Sequence, residues 1–366
     1  MGIAQGARLF ALVCLLATRL LSLQTTCGQQ WELVSTGSQS SLRGIHALDA
    51  NRAWVCGSQG TILRTVDAGE TWTRLVIPEL QDAAGGKLEF RSLHAWSDQE
   101  AIVATAGQPC AIYRTSDGGN RWERVYSNSH PAAFVDAMKF FDASNGYVVG
   151  DPIDGLWMLL QTRDGGKSWQ TVVSTGLRAN EGEAAFAASN SCLLVDSKES
   201  FWFGTGGSGP VGRVHRVDGQ EDVTRSTAPS RIAVGTYEVP TMAANASSGL
   251  FSLAINPSKE TLVAVGGDYL KVDLALGNIA IKDHPMAKEE VWRAPTGMAP
   301  RGFRSAVVYA AKYNRPWICV GPNGSDWSTD GNAWDALSDV GFHALSVAAD
   351  GTVWASGSEG RVAKLK

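Results

Sequence analysis

Apolar residues in this chain fall into short runs that stop at glycine or at a polar turn. The clearest are Ala53-Trp-Val-Cys56, Ile102-Val-Ala104, Tyr147-Val-Val149, Phe201-Trp-Phe203, Leu262-Val-Ala-Val265, Trp317-Ile-Cys-Val320 and Val353-Trp-Ala355. The glycines after them are Gly57, Gly107, Gly150, Gly204, Gly266, Gly321 and Gly357. Runs this short, rich in β-branched and aromatic residues and bounded by turn formers, predict strands rather than helices. Counting them predicts seven repeats. The first repeat shows the unit: strand a at residues 44–48, strand b at 53–56, strand c at 61–64, and strand d at 72–75 after a turn. The prediction is an all-β, seven-bladed propeller of four-stranded antiparallel blades.

The ends agree with that count. Residues 361–365 read as a strand c with no strand d behind them, whereas Trp31-Glu-Leu-Val34 resembles a strand d such as Trp169-Gln-Thr-Val172. The N-terminal strand is therefore expected to close the last blade, which removes free sheet edges.

Between strands c and d a turn motif recurs. It reads Thr65-Val-Asp67-Ala-Gly69-Glu-Thr-Trp72, Thr115-Ser-Asp117-Gly-Gly119-Asn-Arg-Trp122 and Thr162-Arg-Asp164-Gly-Gly166-Lys-Ser-Trp169, with a shortened Thr329-Asp330-Gly-Asn-Ala-Trp334. In this S/T-x-D-x-G-x-x-W pattern, the Asp-box, the carboxylate accepts local backbone N–H groups and glycine takes the φ > 0 position. Asp67, Asp117, Asp164 and Asp330 are expected to be structural.

Composition adds limits. The 40 glycines and 13 tryptophans suit many tight turns and broad sheet-to-sheet cores, and a net charge of −4 gives no basic face for nucleic acid. Residues 1–28 read as a signal peptide: Arg8 precedes the apolar stretch 9–18, Arg19 interrupts it, and Thr26 and Gly28 suit cleavage. Residues 29–366 would then be one exported propeller, periplasmic or extracellular, with no transmembrane segment in the mature chain. Lipidation at Cys27 is the alternative; Gln24-Thr25-Thr26 fits that poorly. Cys56, Cys110, Cys192 and Cys319 fall in different repeats with no metal-ligand spacing, so no metal or cofactor is expected; export permits disulfides, a free buried Cys is the alternative, and no particular bridge is predicted.

The a–b turns are short, as in Asp49-Ala-Asn-Arg52 and Ser97-Asp-Gln-Glu100. The long connections are d–a, over residues 76–87, 174–183, 227–249 and 283–302. The b–c loops are polar and glycine-rich: Asp151-Pro-Ile-Asp154-Gly155, residues 205–210, Gly267-Asp268-Tyr269 and residues 322–326. Both sets emerge on one face, and binding sites favour loops on a rigid scaffold. Strand a is innermost and begins at that face. Aligning the repeats puts Arg43, Arg91, Val135, Ser191, Phe251, Arg304 and His343 at the channel mouth. Arg304, His343, Arg43 and Arg91 would form a contiguous basic arc, with Asp136 close to Asp151 and Asp154. Arginine forks there suit a carboxylate, phosphate or sulfate.

Other motifs are weaker. Gly204-Thr-Gly206-Gly-Ser-Gly209 matches G-x-G-x-x-G but lies between strands and opens no helix, so a glycine-rich loop is expected. Asp151 and Asp154 are too few for calcium. His46 and His94 share one repeat position, which packing explains.

The Asp-boxes resemble those of BNR propellers. The repeat order and the Trp-led closure resemble the photosystem II stability/assembly-factor family over nearly the whole mature chain. Residues 151–155, Glu183-Ala-Ala-Phe-Ala-Ala-Ser189, Gly266-Gly-Asp-Tyr269, Arg301-Gly-Phe-Arg-Ser-Ala306 and Gly321-Pro-Asn-Gly-Ser-Asp326 resemble an exported bacterial branch of it. The resemblance implies a noncatalytic assembly role with an arginine patch, for which Arg43, Arg91 and Arg304 are candidates; no residue implies a photosystem. Two readings follow. One is a binding module gripping an anionic peptide, glycan or protein with Arg43, Arg91, Arg304, His343, Asp136, Asp151, Asp154, Glu183, Asp268 and Tyr269. The other is a sialidase-like glycoside hydrolase, with the arginines as a carboxylate triad, Asp136 or Glu183 as acid and Tyr269 as nucleophile; the Arg-Ile-Pro signature of that class is missing.

Overall fold

A computed structural model describes residues 29–80, 88–172, 176–208, 211–218, 233–240, 242, 245–287 and 291–366. The expected signal peptide, Cys27 and parts of the long d–a connections lie outside them. Seven antiparallel sheets form the blades. Blade 1 runs Leu42–Ala47, Ala53–Gly57, Thr61–Thr65 and Thr73–Leu75 from strand a to strand d. Blades 2, 3 and 6 repeat this order, with first strands Phe90–Ala95, Val135–Phe140 and Ala306–Tyr309.

Blade 7 contains Ala344–Val347, Val353–Ser356 and Arg361–Leu365, and its outer strand is Trp31–Ser35. Trp31 pairs with Leu365 and Ser35 with Arg361, so the N-terminal strand closes the ring as expected. Two indoles tie blades together. Trp54 Nε1 donates to Ser97 O in the a–b turn of blade 2, and Trp354 Nε1 donates to Asp49 O in that of blade 1, both at 3.0 Å. Burying each indole between sheets while satisfying its N–H is what makes Trp suit strand b.

Blades 4 and 5 depart from the expected pattern. Blade 4 is Leu193–Val195, Ser200–Gly204, Gly212–Asp218 and Ala233–Val239. Residues 227–249 are thus not one long connection, since Ala233–Val239 is a strand d paired along Gly212–Asp218. In blade 5, Ser248–Ile255, Thr261–Asp268 and Ile279–Asp283 are joined on the inner side by Gly206–Gly207 and Glu183–Ala184. Its strand d is reduced to the bridge Ile281↔Arg293. The glycine-rich loop after Gly204 therefore belongs to a sheet. A Cβ on Gly206 would lie 2.4 Å from the Gly249 Cα, and Gly207 has φ +90°, so close backbone approach accounts for these glycines.

The c–d turns are held from within. Asp164 Oδ1 accepts from Thr162 Oγ1 at 2.8 Å and Ser168 N at 3.0 Å, while Ser168 Oγ donates to Oδ2 at 2.6 Å. Asp67 and Asp117 accept from Thr71 N and Arg121 N, both at 2.9 Å. In the shortened copy Ser328, not Thr329, donates to Asp330, at 3.1 Å. Hydrogen bonds hold these carboxyls below the usual range; for Asp164, burial opposes them and Ser168 is the main donor. Asp164→Ala should lower stability by about 1 kcal/mol or less, because the turn is partly solvated. A denaturant melt checks this; an unchanged midpoint would show the carboxylate to be dispensable.

Candidate functional site

Strand a faces the propeller axis, and a β-bulge near its start decides which side chain reaches the channel mouth. Pairing skips one residue between Leu42 and Gly44, Phe90 and Ser92, Val135 and Ala137, and Leu250 and Ser252. A bulge re-aims the skipped side chain. The skipped residues are Arg43, Arg91, Asp136 and Phe251, so in blade 3 the axial residue is Asp136, not Val135.

A backbone bond aligns the other blades. Leu42 N donates to Gly357 O of the preceding blade, Phe342 N to Gly321 O, and Arg304 N to Gly266 O, each at 2.9 Å. Phe342 and Arg304 are therefore the counterparts of Leu42. His343 takes the axial position in blade 7, and Ser305 takes it in blade 6. A slip of one residue turns a strand side chain to the other face, so the structure places Arg304 outside the expected arc. It is 0% exposed, with Nε 2.7 Å from Asp326 Oδ2, Nη2 on the same oxygen, and Nη1 2.8 Å from Phe303 O and Asn323 Oδ1. Arg301 Nε holds the other carboxylate oxygen of Asp326 at 2.8 Å. The segments 301–306 and 321–326 thus build a buried ion-pair network.

The mouth holds a cavity of about 540 Å³. Arg43, Arg91, His343, Asp136 and Asp151 line one side, and Phe186, Phe251, Phe303 and Tyr269 the other. The strand starts are joined there by d–a and b–c loop residues, as expected for the loop-rich face. Phe186 stacks on Phe251 at 4.0 Å, and Phe303 meets Phe251 edge-on at 4.8 Å. This aromatic side escaped the sequence reading because Phe186 and Phe303 come from loops far apart in the chain. The signal for it lay inside the Ala-Phe-Ala-Ala and Arg-Gly-Phe-Arg segments.

Residues 185–188 run over the cavity. Arg91 Nη1 donates to Ala187 O at 3.2 Å, Arg43 Nη1 to Ala188 O at 3.5 Å, and Ala185 N to Asp151 Oδ1 at 3.2 Å. The chain then crosses the channel. Ser189 Oγ donates to Ser305 O at 2.6 Å, while Asn190 Nδ2 donates to Leu93 O at 3.0 Å. This strap links blade 6 to blade 2. Three positions further along strand a, His46, His94 and Lys139 also face the axis. His46 and His94 pack at 4.3 Å, and burial holds both imidazoles well below their ordinary pKa, His46 at about 3.

Burial sets the electrostatics of the mouth. It lowers Arg43 to about 10, with Arg91 adding repulsion. It brings His343 to about 3, helped by Arg43, Arg361 and Arg91, so this side chain joins as a neutral imidazole rather than a cation. It raises Asp151 to about 6, and raises Asp136 well above the carboxylate range with the neighbouring Asp151 adding to the shift.

Asp154, Glu183 and Asp268 lie apart from the cavity wall, unlike Asp151. A second bulge, between Gly150 and Pro152, turns Asp151 toward the cavity. Asp154, at φ 52°, sits exposed at the hairpin tip with Gly155 at φ 76°. Glu183 is buried. Arg213 Nε is 2.9 Å from its Oε1 and His215 Nε2 3.5 Å away, while Thr205 Oγ1 donates at 2.5 Å and Asn180 N at 2.8 Å. Burial would raise its pKa, but bonds from His215, Arg213 and Thr205 outweigh that and bring it to about 2. Asp268 accepts from Ser247 Oγ at 2.7 Å and Leu270 N at 3.0 Å, which fixes the turn before Tyr269. For the sialidase-like arrangement, only two of the three arginines and one of the two candidate acids face the cavity with Tyr269. Among the described residues no group of His, Cys, Asp and Glu is placed to hold a metal, and no helix is long and apolar enough to cross a membrane. Cys56, Cys110, Cys192 and Cys319 are buried free thiols.

Fold and mouth together define a closed seven-bladed β-propeller with a strapped channel and a half-polar, half-aromatic pocket. The profile of the family described as Photosynthesis system II assembly factor YCF48 matches residues 23–138. The chain is 21% identical over 152 residues to the Photosystem II assembly lipoprotein Ycf48 of Synechococcus sp. (strain CC9902), covering 41% of this chain and 42% of that protein. It is 24% identical over 185 residues to Xyloglucanase Xgh74A of Acetivibrio thermocellus, covering 40% of this chain and 21% of the enzyme. The matches thus span less than half of either relative. A solved structure, YCF48 bound to D1 peptide, superposes over 91% of this chain and 94% of its own with TM-score 0.55 at 16% identity, which speaks for the fold. Residues 23–138 are thus similar to the photosystem II assembly-factor family, and the chain as a whole shares the propeller fold of the solved YCF48 structure.

Proposed function

We propose that this chain is an exported binding module that receives an anionic segment of a peptide or protein partner in the cavity at the channel mouth. One observation carries the reading. Arg43 and Arg91 come from adjacent blades, open into a common cavity of about 540 Å³, and spend their bonds on the carbonyls of Ala188 and Ala187. Among the described residues their one carboxylate contact is the half-buried Glu89, 3.4 Å from Arg91. Guanidinium forks so placed keep donors for an incoming carboxylate, and a recessed mouth weakens solvent screening. The apolar side offers Phe186, Phe251 and Phe303 to the rest of the segment. A cavity of this size suits a peptide terminus or turn better than an extended glycan. The solved structure of YCF48 bound to a D1 peptide supports a peptide-type partner, and a lipoprotein relative fits export directed by residues 1–28.

Selection from a random peptide library tests the proposal. Retained peptides should be enriched in Asp, Glu or a free C-terminus next to apolar residues, and added salt should weaken retention. Enrichment of basic peptides, or indifference to salt, would overturn it.

A further inference from the structure

The bulge that presents Arg43 and Arg91 presents Asp136 in the next blade, so the mouth changes sign between blades 2 and 3. Asp151 joins it from the adjacent strand of blade 3 through the second bulge. Asp136 is 1% exposed, lines the cavity, and has an Oδ2 with no hydrogen-bond partner. Asp151 receives a single N–H, from Ala185 at 3.2 Å, leaving its other oxygen for the cavity. Among the described residues the ion pair of Arg91 is with Glu89, so the arginines do not answer these carboxyls directly. A buried carboxyl pair short of donors is costly unless something supplies them. Phe186, Phe251 and Phe303 on the aromatic wall have no polar side-chain atoms, and among the described residues the Tyr269 hydroxyl there makes no hydrogen bond to either carboxyl.

Resting on the proposed anion site, we infer that the cavity is bipolar: the Asp151–Asp136 pole takes an ammonium of the same ligand whose carboxylate meets Arg43 and Arg91. The ligand class is therefore a zwitterion or peptide terminus with an apolar body, rather than a simple anion such as phosphate, sulfate or a sugar acid. Asp151 makes the direct contact. Asp136, behind it, receives a donor or shares a proton with Asp151.

The test uses four probes on one scaffold: Phe-Phe dipeptide, its N-acetyl form, its C-terminal amide, and the form blocked at both ends. Each is titrated by calorimetry against the wild-type protein, Asp151→Asn and Asp136→Asn, with thermal melts to confirm folding. In the wild type, N-acetylation and amidation should each weaken binding by about tenfold, the scale of one charge-assisted bond. Asp151→Asn should remove the penalty for N-acetylation and keep the penalty for amidation. Asp136→Asn should reduce the first penalty while the protein stays folded. If amidation weakens binding but N-acetylation does not, the bipolar inference fails and the anion site stands. If N-acetylation matters equally in the wild type and Asp151→Asn, the ammonium lies elsewhere and the inference fails. If amidation costs nothing, or no probe binds, the anion reading fails along with it.

Discussion

Arg304→Ala is expected to destabilise the propeller by about 3 kcal/mol, the low end of the cost of breaking a buried ion pair, because Asp326 keeps the Nε and backbone N of Arg301. The substitution leaves Asp326, 1% exposed, without the Nε and Nη2 donors that hold its Oδ2. Arg301 cannot replace them, because it already holds the other carboxylate oxygen and Asp339. Phe303 O and Asn323 Oδ1 would lose their 2.8 Å bonds as well. Arg304→Lys keeps the charge without the fork and should fall between the wild type and Arg304→Ala. Denaturant unfolding checks the order. A near-neutral Arg304→Ala, or one that stays fully stable while losing ligand, would return this residue to the binding arc.

Removing residues 31–35 is expected to act on the whole ring. Trp31–Ser35 forms the outer strand of blade 7 in five residue pairs. At about 1 kcal/mol per ladder hydrogen bond, the loss is on the order of 5 kcal/mol before side chains are counted. Trp31 adds a 5.0 Å ring contact with Phe342, and a 2.8 Å bond from its Nε1 to Ser325 Oγ fastens the strand to blade 6. The deletion also bares the edge of Arg361–Leu365, inviting pairing between molecules. A single lowered melting transition accompanied by self-association, read by light scattering, is expected. A monomer with an unchanged midpoint would mean that closure contributes little.

The strands and their closure could be read from the sequence because glycine punctuates the apolar runs and Trp31-Glu-Leu-Val34 has the form of a strand d. Strand Ala233–Val239 was hidden for a physical reason: it carries Gly235, only Val239 is buried, and no S/T-x-D turn precedes it. The channel mouth was half legible. Arg43, Arg91 and His343 follow from counting along strand a. Arg304 and Val135 do not, because the register at the start of strand a, set by a bulge in blade 3 and by the Arg304 N–Gly266 O bond in blade 6, leaves no mark in the hydrophobic pattern. Leu42-Arg43-Gly44 and Phe303-Arg304-Ser305 look alike as sequence, yet their arginines point to opposite sides of the sheet. His343 illustrates a second limit. Its position could be counted, but its neutrality comes from burial beside Arg43, Arg361 and Arg91. The strap at residues 185–190 was visible only as a motif, since its partners Ser305, Leu93 and Met138 lie in blades remote along the chain.

The central claim is that the mouth cavity, and not the face of the c–d turns, holds the partner. The most direct measurement is calorimetric titration of one library-selected acidic peptide against the wild type, Arg43→Ala/Arg91→Ala and Asp164→Ala. The arginine pair should lose most of the binding, about 100-fold or more for two charge-assisted contacts, with its melting midpoint retained. Asp164→Ala should bind like the wild type despite its lower stability. Full affinity in the double arginine variant, or loss of affinity in folded Asp164→Ala, would contradict the account.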